Sequence, residues 1–124
     1  MRRDDTVYLV HMLEMSRKAA SKSAAVSHAE FLKDENLQFT LVHLVQVIGE
    51  AAGHVSAETR ARLRTVPWQQ IVGMRHHVVH GYLAVDLEVV WQVARHDLPA
   101  LVATLTPFVP PELLPRRDDG SESR

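Results

Sequence analysis

"NLQFTLVHLVQVIGEAAGHV", residues 36–55, places Leu37, Leu41, Leu44, Ile48 and Ala51 at i, i+4, i+7, i+11 and i+14. That is the period of an α-helix burying one stripe. Gly49, inside the run, costs about 1 kcal/mol relative to Ala in a helix. A close crossing by another helix at that point would offset the cost. Gly53 reads as the stop.

The same period extends outward in both directions. Upstream, Asp4 and Asp5 suit a helix start, because acidic side chains complement exposed N–H groups. Leu9, Leu13, Ser16 and Ala20 make one stripe, and Tyr8, Met12, Met15 and Ala19 the adjacent one. The small residues of "KAASKSAA" either admit a close neighbour or end this helix. Ser27 with Glu30 three residues on is a capping-box pattern, so "SHAEFLKDEN" reads as a short helix.

Downstream, Ser56 caps "AETRARL", and Pro67 suits the first turn of "PWQQIVGMRHHVVH". This segment carries Trp68, Ile71, Val72, Met74, Val78 and Val79, and Gly81 is expected to break it. "YLAV" bridges to Asp86, which suits an N-cap. In "LEVVWQVARHDLPALVATL", Leu87, Val90, Trp91, Ala94, Leu98, Leu101 and Leu105 share a face. Pro99 is expected to kink or split that helix. Four main helices plus short ones, with no strand-like alternation, predict an all-α antiparallel bundle of four to five helices. Residues 1–109 form the expected domain. Residues 110–124, proline followed by charge, read as a flexible tail.

The totals bound the function. The chain has 124 residues, the apolar fraction is 46% and the charged fraction 23%, as in ordinary single domains. The formal net charge is −1, so no global basic field marks a nucleic-acid binder. Arg60, Arg62 and Arg64 form a local basic cluster. With no cysteine, disulfides, thiolate zinc sites and cysteine nucleophiles are excluded. No apolar run approaches the roughly 20 residues of a membrane span, and a cytoplasmic location is expected.

Three of the eight histidines fall within "RHHVVHGY", residues 75–82. His76 and His80, four apart, would share a helix face and could chelate a metal, but an obvious third ligand is missing. Alternatively, an imidazole moves protons near neutral pH, and the guanidinium of Arg75 matches phosphate oxygens. Arg75 and His80 are five apart, so an ideal helix would separate them by about 140° around its axis. The bland alternative is that these are half-buried polar groups closing a helix end.

Arg75, four residues, His80, one residue, Tyr82: this R-x4-H-x-Y pattern resembles the motif of the HepT-like proteins of the HEPN superfamily. The lead-in "PWQQIVGMR", the follow-on "VDLEVVW" and the "QVIGEAA" of the second long helix resemble that family as well. The resemblance spans roughly residues 3–109. It implies an all-α bundle that pairs as a homodimer, with the motifs of both subunits facing one cleft. It implies a metal-independent endoribonuclease that needs no cofactor, acting on RNA as the toxin of a toxin–antitoxin pair. The implied antitoxin is a minimal nucleotidyltransferase of the MntA type. Arg75 and His80 would be the catalytic pair, and Tyr82 the acceptor of AMP groups that silence the toxin. His76 and His77 would be auxiliary. His76 stands where relatives commonly carry Asn, and Gly81 where a polar residue is common. A second reading is a non-catalytic helical module that binds a nucleotidyltransferase.

Overall fold

Helix α1 spans Arg3–Ala24, α2 His28–Leu32, α3 Glu35–His54, α4 Ala57–Arg62 and α5 Trp68–Val78. A computed structural model describes residues 2–80 and 84–114, with backbone only at positions 75, 77, 79, 80 and 84. After α5, β1 (Val79–His80) pairs antiparallel with β2 (Ala84–Val85), Val79 opposite Val85 and His80 opposite Ala84. Helix α6 (Leu87–Gln92), a π-helical turn (Val93–Asp97) and α7 (Leu98–Leu105) follow as one broken rod. Two 3₁₀ turns, Thr106–Phe108 and Pro111–Leu113, come next, and Leu114 packs against the core.

The architecture is an all-α bundle. Helix α3 packs on both α1 and α5, and α1 also packs on α7. The stripe that announced α3 is its buried face: Leu41, Leu44, Ile48 and Ala51 are all buried, with Leu37 at the margin. Leu9, Leu13 and Ser16 of α1 are buried against it. Along the last rod, Val90, Trp91, Ala94, Leu98, Leu101 and Leu105 are buried as expected.

Gly49 does what its position suggested. A Cβ there would stand 3.3 Å from the carbonyl oxygen of Ile71 and 3.6 Å from that of Val72. The missing side chain lets the α5 backbone approach α3 directly. The helix ends at His54, one residue past Gly53, so the stop falls where the sequence placed it to within a residue.

The capping signals are mostly obeyed. Ser27 accepts from the N–H of Glu30, and the Glu30 carboxylate accepts from the N–H of Ser27. Ser56 accepts from the N–H of Thr59 and Asp86 from the N–H of Val89. Asp34 caps α3 through the N–H of Leu37. Helix α1 starts where expected, with Asp4 and Asp5 in its first turn, but not through a side-chain cap. Its N-cap, Arg2, makes no side-chain cap, and Asp5 is buried and turned to another element. Asp5 accepts from the Ser56 N–H at 2.9 Å, the Ser56 hydroxyl at 2.6 Å and the Thr59 hydroxyl. Tertiary hydrogen bonds with a carboxylate outweigh a local cap. Burial alone would raise the Asp5 carboxyl, but these hydrogen bonds, together with the charge of Arg2, hold it below its ordinary value.

Pro99 sits at the start of α7, where its absent N–H costs nothing. The helix accommodates it with the π turn just before it. That turn is tied to α1: the Ser23 hydroxyl donates to the Ala94 carbonyl, and Arg95 donates to the Ser23 carbonyl at 3.2 Å. Arg95 also lies over the Trp91 ring.

Candidate active site

Helix α5 delivers the motif, and its placement is overdetermined. The Trp68 indole N–H donates to the Leu63 carbonyl at 3.0 Å. Ile71, Met74 and Val78, three and four residues apart, are buried along one side. Arg75 falls in the last two turns of this helix, between two of its anchors. His76 is exposed.

The helix then ends earlier than its sequence suggests. It was expected to run to His80, yet Val79 and His80 leave it for the short antiparallel ladder. The Asp86 N–H donates to the Val78 carbonyl at 2.7 Å, closing the loop just where α6 starts. Two consequences follow. Arg75 and His80 do not sit on one continuous helix, so the 140° separation does not apply. The i, i+4 relation that would have let His76 and His80 share a metal on a helix face is gone as well. Among the described residues, no group of three or more His, Cys, Asp or Glu side chains is arranged to hold a metal ion. The side chains of Arg75, His77 and His80, and all of Gly81 and Tyr82, lie outside what the structure describes.

Two hollows flank α5. One, of about 750 Å³, is mainly apolar and lies between α5 and the α6–α7 rod, with Ile71, Met74, Val93 and Leu101 in its wall and Asp97 among its few polar groups. The other, of about 640 Å³, is an open groove over α1, α3 and α5. His76 reaches it, beside Tyr8 and His11 of α1 and His43, Gln46, Glu50 and His54 of α3. The Tyr8 and His54 rings stack, with centroids 5.1 Å apart and planes 21° from parallel. Glu50 pairs with His54 at 3.6 Å. Sequence reading missed this set. His43, Gln46, Glu50 and His54 do recur with helical spacing opposite the buried stripe, which was the available signal. Their meeting with Tyr8, His11 and His76 required the tertiary structure.

The basic cluster divides. Arg60 donates to the carbonyls of Val55 and Ala52 at the end of α3 and lies over the Trp68 ring. It therefore closes a helix terminus. Arg62 and Arg64 are exposed.

A helical bundle whose sequence carries Arg75, His80 and Tyr82 in that order fits the pattern of the HepT-like proteins. The chain belongs to the HepT-like family: the family model described as "Ribonuclease HepT-like" matches residues 12–107. Among curated relatives, a Thermococcus cleftensis protein named "Probable ribonuclease HepT" is 27% identical over 101 residues, covering 82% of this chain and 92% of the relative. A Caldanaerobacter subterraneus protein, named as a candidate RNase, is 31% identical over 94 residues, 76% of this chain and 84% of the relative. Another candidate RNase, from Methanocaldococcus jannaschii, is 24% identical over 100 residues, 81% and 92% of the two chains. No solved structure matches. Among the described residues, no helix is long and apolar enough to cross a membrane.

Proposed function

We propose that this protein is a metal-independent endoribonuclease, the toxin of a HepT/MntA-type pair, with Arg75 and His80 as its catalytic groups. The observation that carries the reading is the match to the ribonuclease HepT-like family across the segment holding Arg75, His80 and Tyr82. Residues 1–109 are the working domain, residues 110–124 are an appended segment whose start packs back on the core through Leu114, and the protein acts in the cytoplasm.

The chemistry is internal transfer at phosphorus. The ribose 2′-oxygen attacks the adjacent phosphorus, its proton passes to a base, and the 5′-oxygen leaves with a proton from an acid. The products are a 2′,3′-cyclic phosphate end and a free 5′-hydroxyl end. Arg75 neutralises charge on the non-bridging oxygens as the five-coordinate phosphorus forms. His80 serves as one proton carrier. The second comes from the partner's His80 across a homodimer cleft, with His76 and His77 as auxiliaries. Attack of the Tyr82 phenol oxygen on the α-phosphorus of ATP, catalysed by a minimal nucleotidyltransferase, would release pyrophosphate, with the phenol proton passing to the enzyme or solvent. The attached AMP would leave bulk and negative charge beside the two catalytic groups, shutting the site.

Incubation of the purified protein with RNA in the presence of EDTA tests the core of this. Fragments ending in 2′,3′-cyclic phosphate are expected, and His80→Ala slows their formation about 100-fold or more. Undiminished cleavage by His80→Ala overturns the assignment. For the off switch, coexpression with the nucleotidyltransferase raises the intact mass by whole AMP units, and Tyr82→Phe abolishes the increase.

The near-neutral charge favours a second reading, a non-catalytic module that binds the nucleotidyltransferase. Modification of Tyr82 by the nucleotidyltransferase, combined with no cleavage by the unmodified protein, selects it.

A further inference from the structure

We infer that the groove over α1, α3 and α5 is a nucleotide-binding subsite that holds single-stranded RNA next to the motif. The inference rests on the ribonuclease reading for its polymer and on the structure for its place. His76 lines the groove and directly follows Arg75 in the chain, so the groove abuts the motif.

Its composition suits a nucleotide in three ways. Tyr8 and His54 already form a stacked pair, and the His54 side chain is 56% exposed, so the pair is accessible to a planar ring. A base laid there extends the stack, and such stacking accepts any base because every base has a π-face. Gln46 provides an amide donor and acceptor for a base edge. His11, His43 and His76 come from three helices to the same groove, and a protonated imidazole donates two N–H bonds to phosphate oxygens.

The titratable groups of the groove are Tyr8 and His11 on α1, His43, Glu50 and His54 on α3, and His76 on α5. Glu50 is the carboxylate among them and pairs with His54.

The test separates binding from cleavage by using a 2′-O-methyl hexanucleotide, which lacks the attacking hydroxyl, with fluorescence anisotropy as the readout. The wild-type protein binds it, and binding weakens as salt is added. His54→Ala and Tyr8→Ala each weaken binding about tenfold, the usual effect of losing one stacking platform. Tyr8→Phe retains affinity. The triple change His11→Gln, His43→Gln, His76→Gln weakens binding by removing donors to the phosphates, whereas His28→Ala, outside the groove, leaves affinity intact. Circular dichroism confirms that each variant is helical. Unchanged affinity in folded His54→Ala and Tyr8→Phe/His54→Ala proteins overturns the subsite. So does AMP binding as tightly as the hexanucleotide, which would mark a mononucleotide pocket. Groove-dependent binding without any RNA cleavage keeps the subsite and removes the ribonuclease reading. Cleavage with groove-independent binding does the reverse.

Discussion

The two faces of α3 obey different rules. One carries Leu41, Leu44, Ile48 and Ala51, buried between α1 and α5. The other carries His43, Gln46, Glu50 and His54 along an open groove. Both recur with helical spacing, so periodicity alone marks them equally. They differ in what determines residue choice. On the buried face, volume and the loss of water decide, and every atom is felt by its neighbours. On the groove face, few packing constraints act, so four polar residues with planar or donor-rich side chains call for an account other than stability.

That contrast can be broken most forcefully at Ile48. Ile48→Ala is expected to destabilise the protein by about 2–5 kcal/mol, measured by urea unfolding, because it leaves a cavity at a site with no exposure. Gly49→Leu comes next. It drives a branched side chain into the carbonyls of Ile71 and Val72 and is expected to cost about 1–3 kcal/mol by overpacking. Because those carbonyls lie on α5, this variant also disturbs the helix that delivers Arg75, so RNA cleavage falls with stability.

Asp5 sharpens the comparison from the opposite direction, as a charged group that belongs inside. Asp5→Asn is expected to cost about 1–3 kcal/mol near neutral pH by leaving donors of Ser56 or Thr59 poorly satisfied. The Asp5 carboxyl is held below its ordinary value in the folded protein. Its stabilisation is therefore present above the unfolded value of about 3.9 and is lost as pH falls through the lower folded value. Thermal melts below about pH 4 should show the wild-type and Asp5→Asn proteins converging. The smallest effect on stability is expected at His43. His43→Ala should unfold within about 0.5 kcal/mol of the wild type, as exposed positions usually do. A large loss there would mean that the groove face is structural after all.

Much of the bundle is legible in the sequence because helices advertise themselves locally. The capping box at Ser27 and Glu30, the cap at Ser56 and the cap at Asp86 each need only three or four neighbouring residues. Gly49 also announced a close crossing. Gly53 marked the end of α3 to within one residue. Asp5 marked the start of α1 correctly, but its bonds to a residue 51 positions away had no local signal. The end of α5 was misjudged by two residues. The pairing of residues 79–80 with 84–85 is a nonlocal gain that periodicity cannot register.

The candidate site divides the same way. The order Arg75, His80, Tyr82 is pure sequence, and it leads to the family. The groove is pure tertiary structure, because His11, His43, His54 and His76 lie on three helices that share no local pattern. By itself, then, the sequence determined the helices, their buried stripes and the motif, since these follow from short-range backbone geometry and side-chain spacing. Only the tertiary structure decided where α5 stops, what Asp5 bonds and which histidines meet. Those outcomes depend on contacts between residues far apart in the chain, and their energies exist only once the helices have packed.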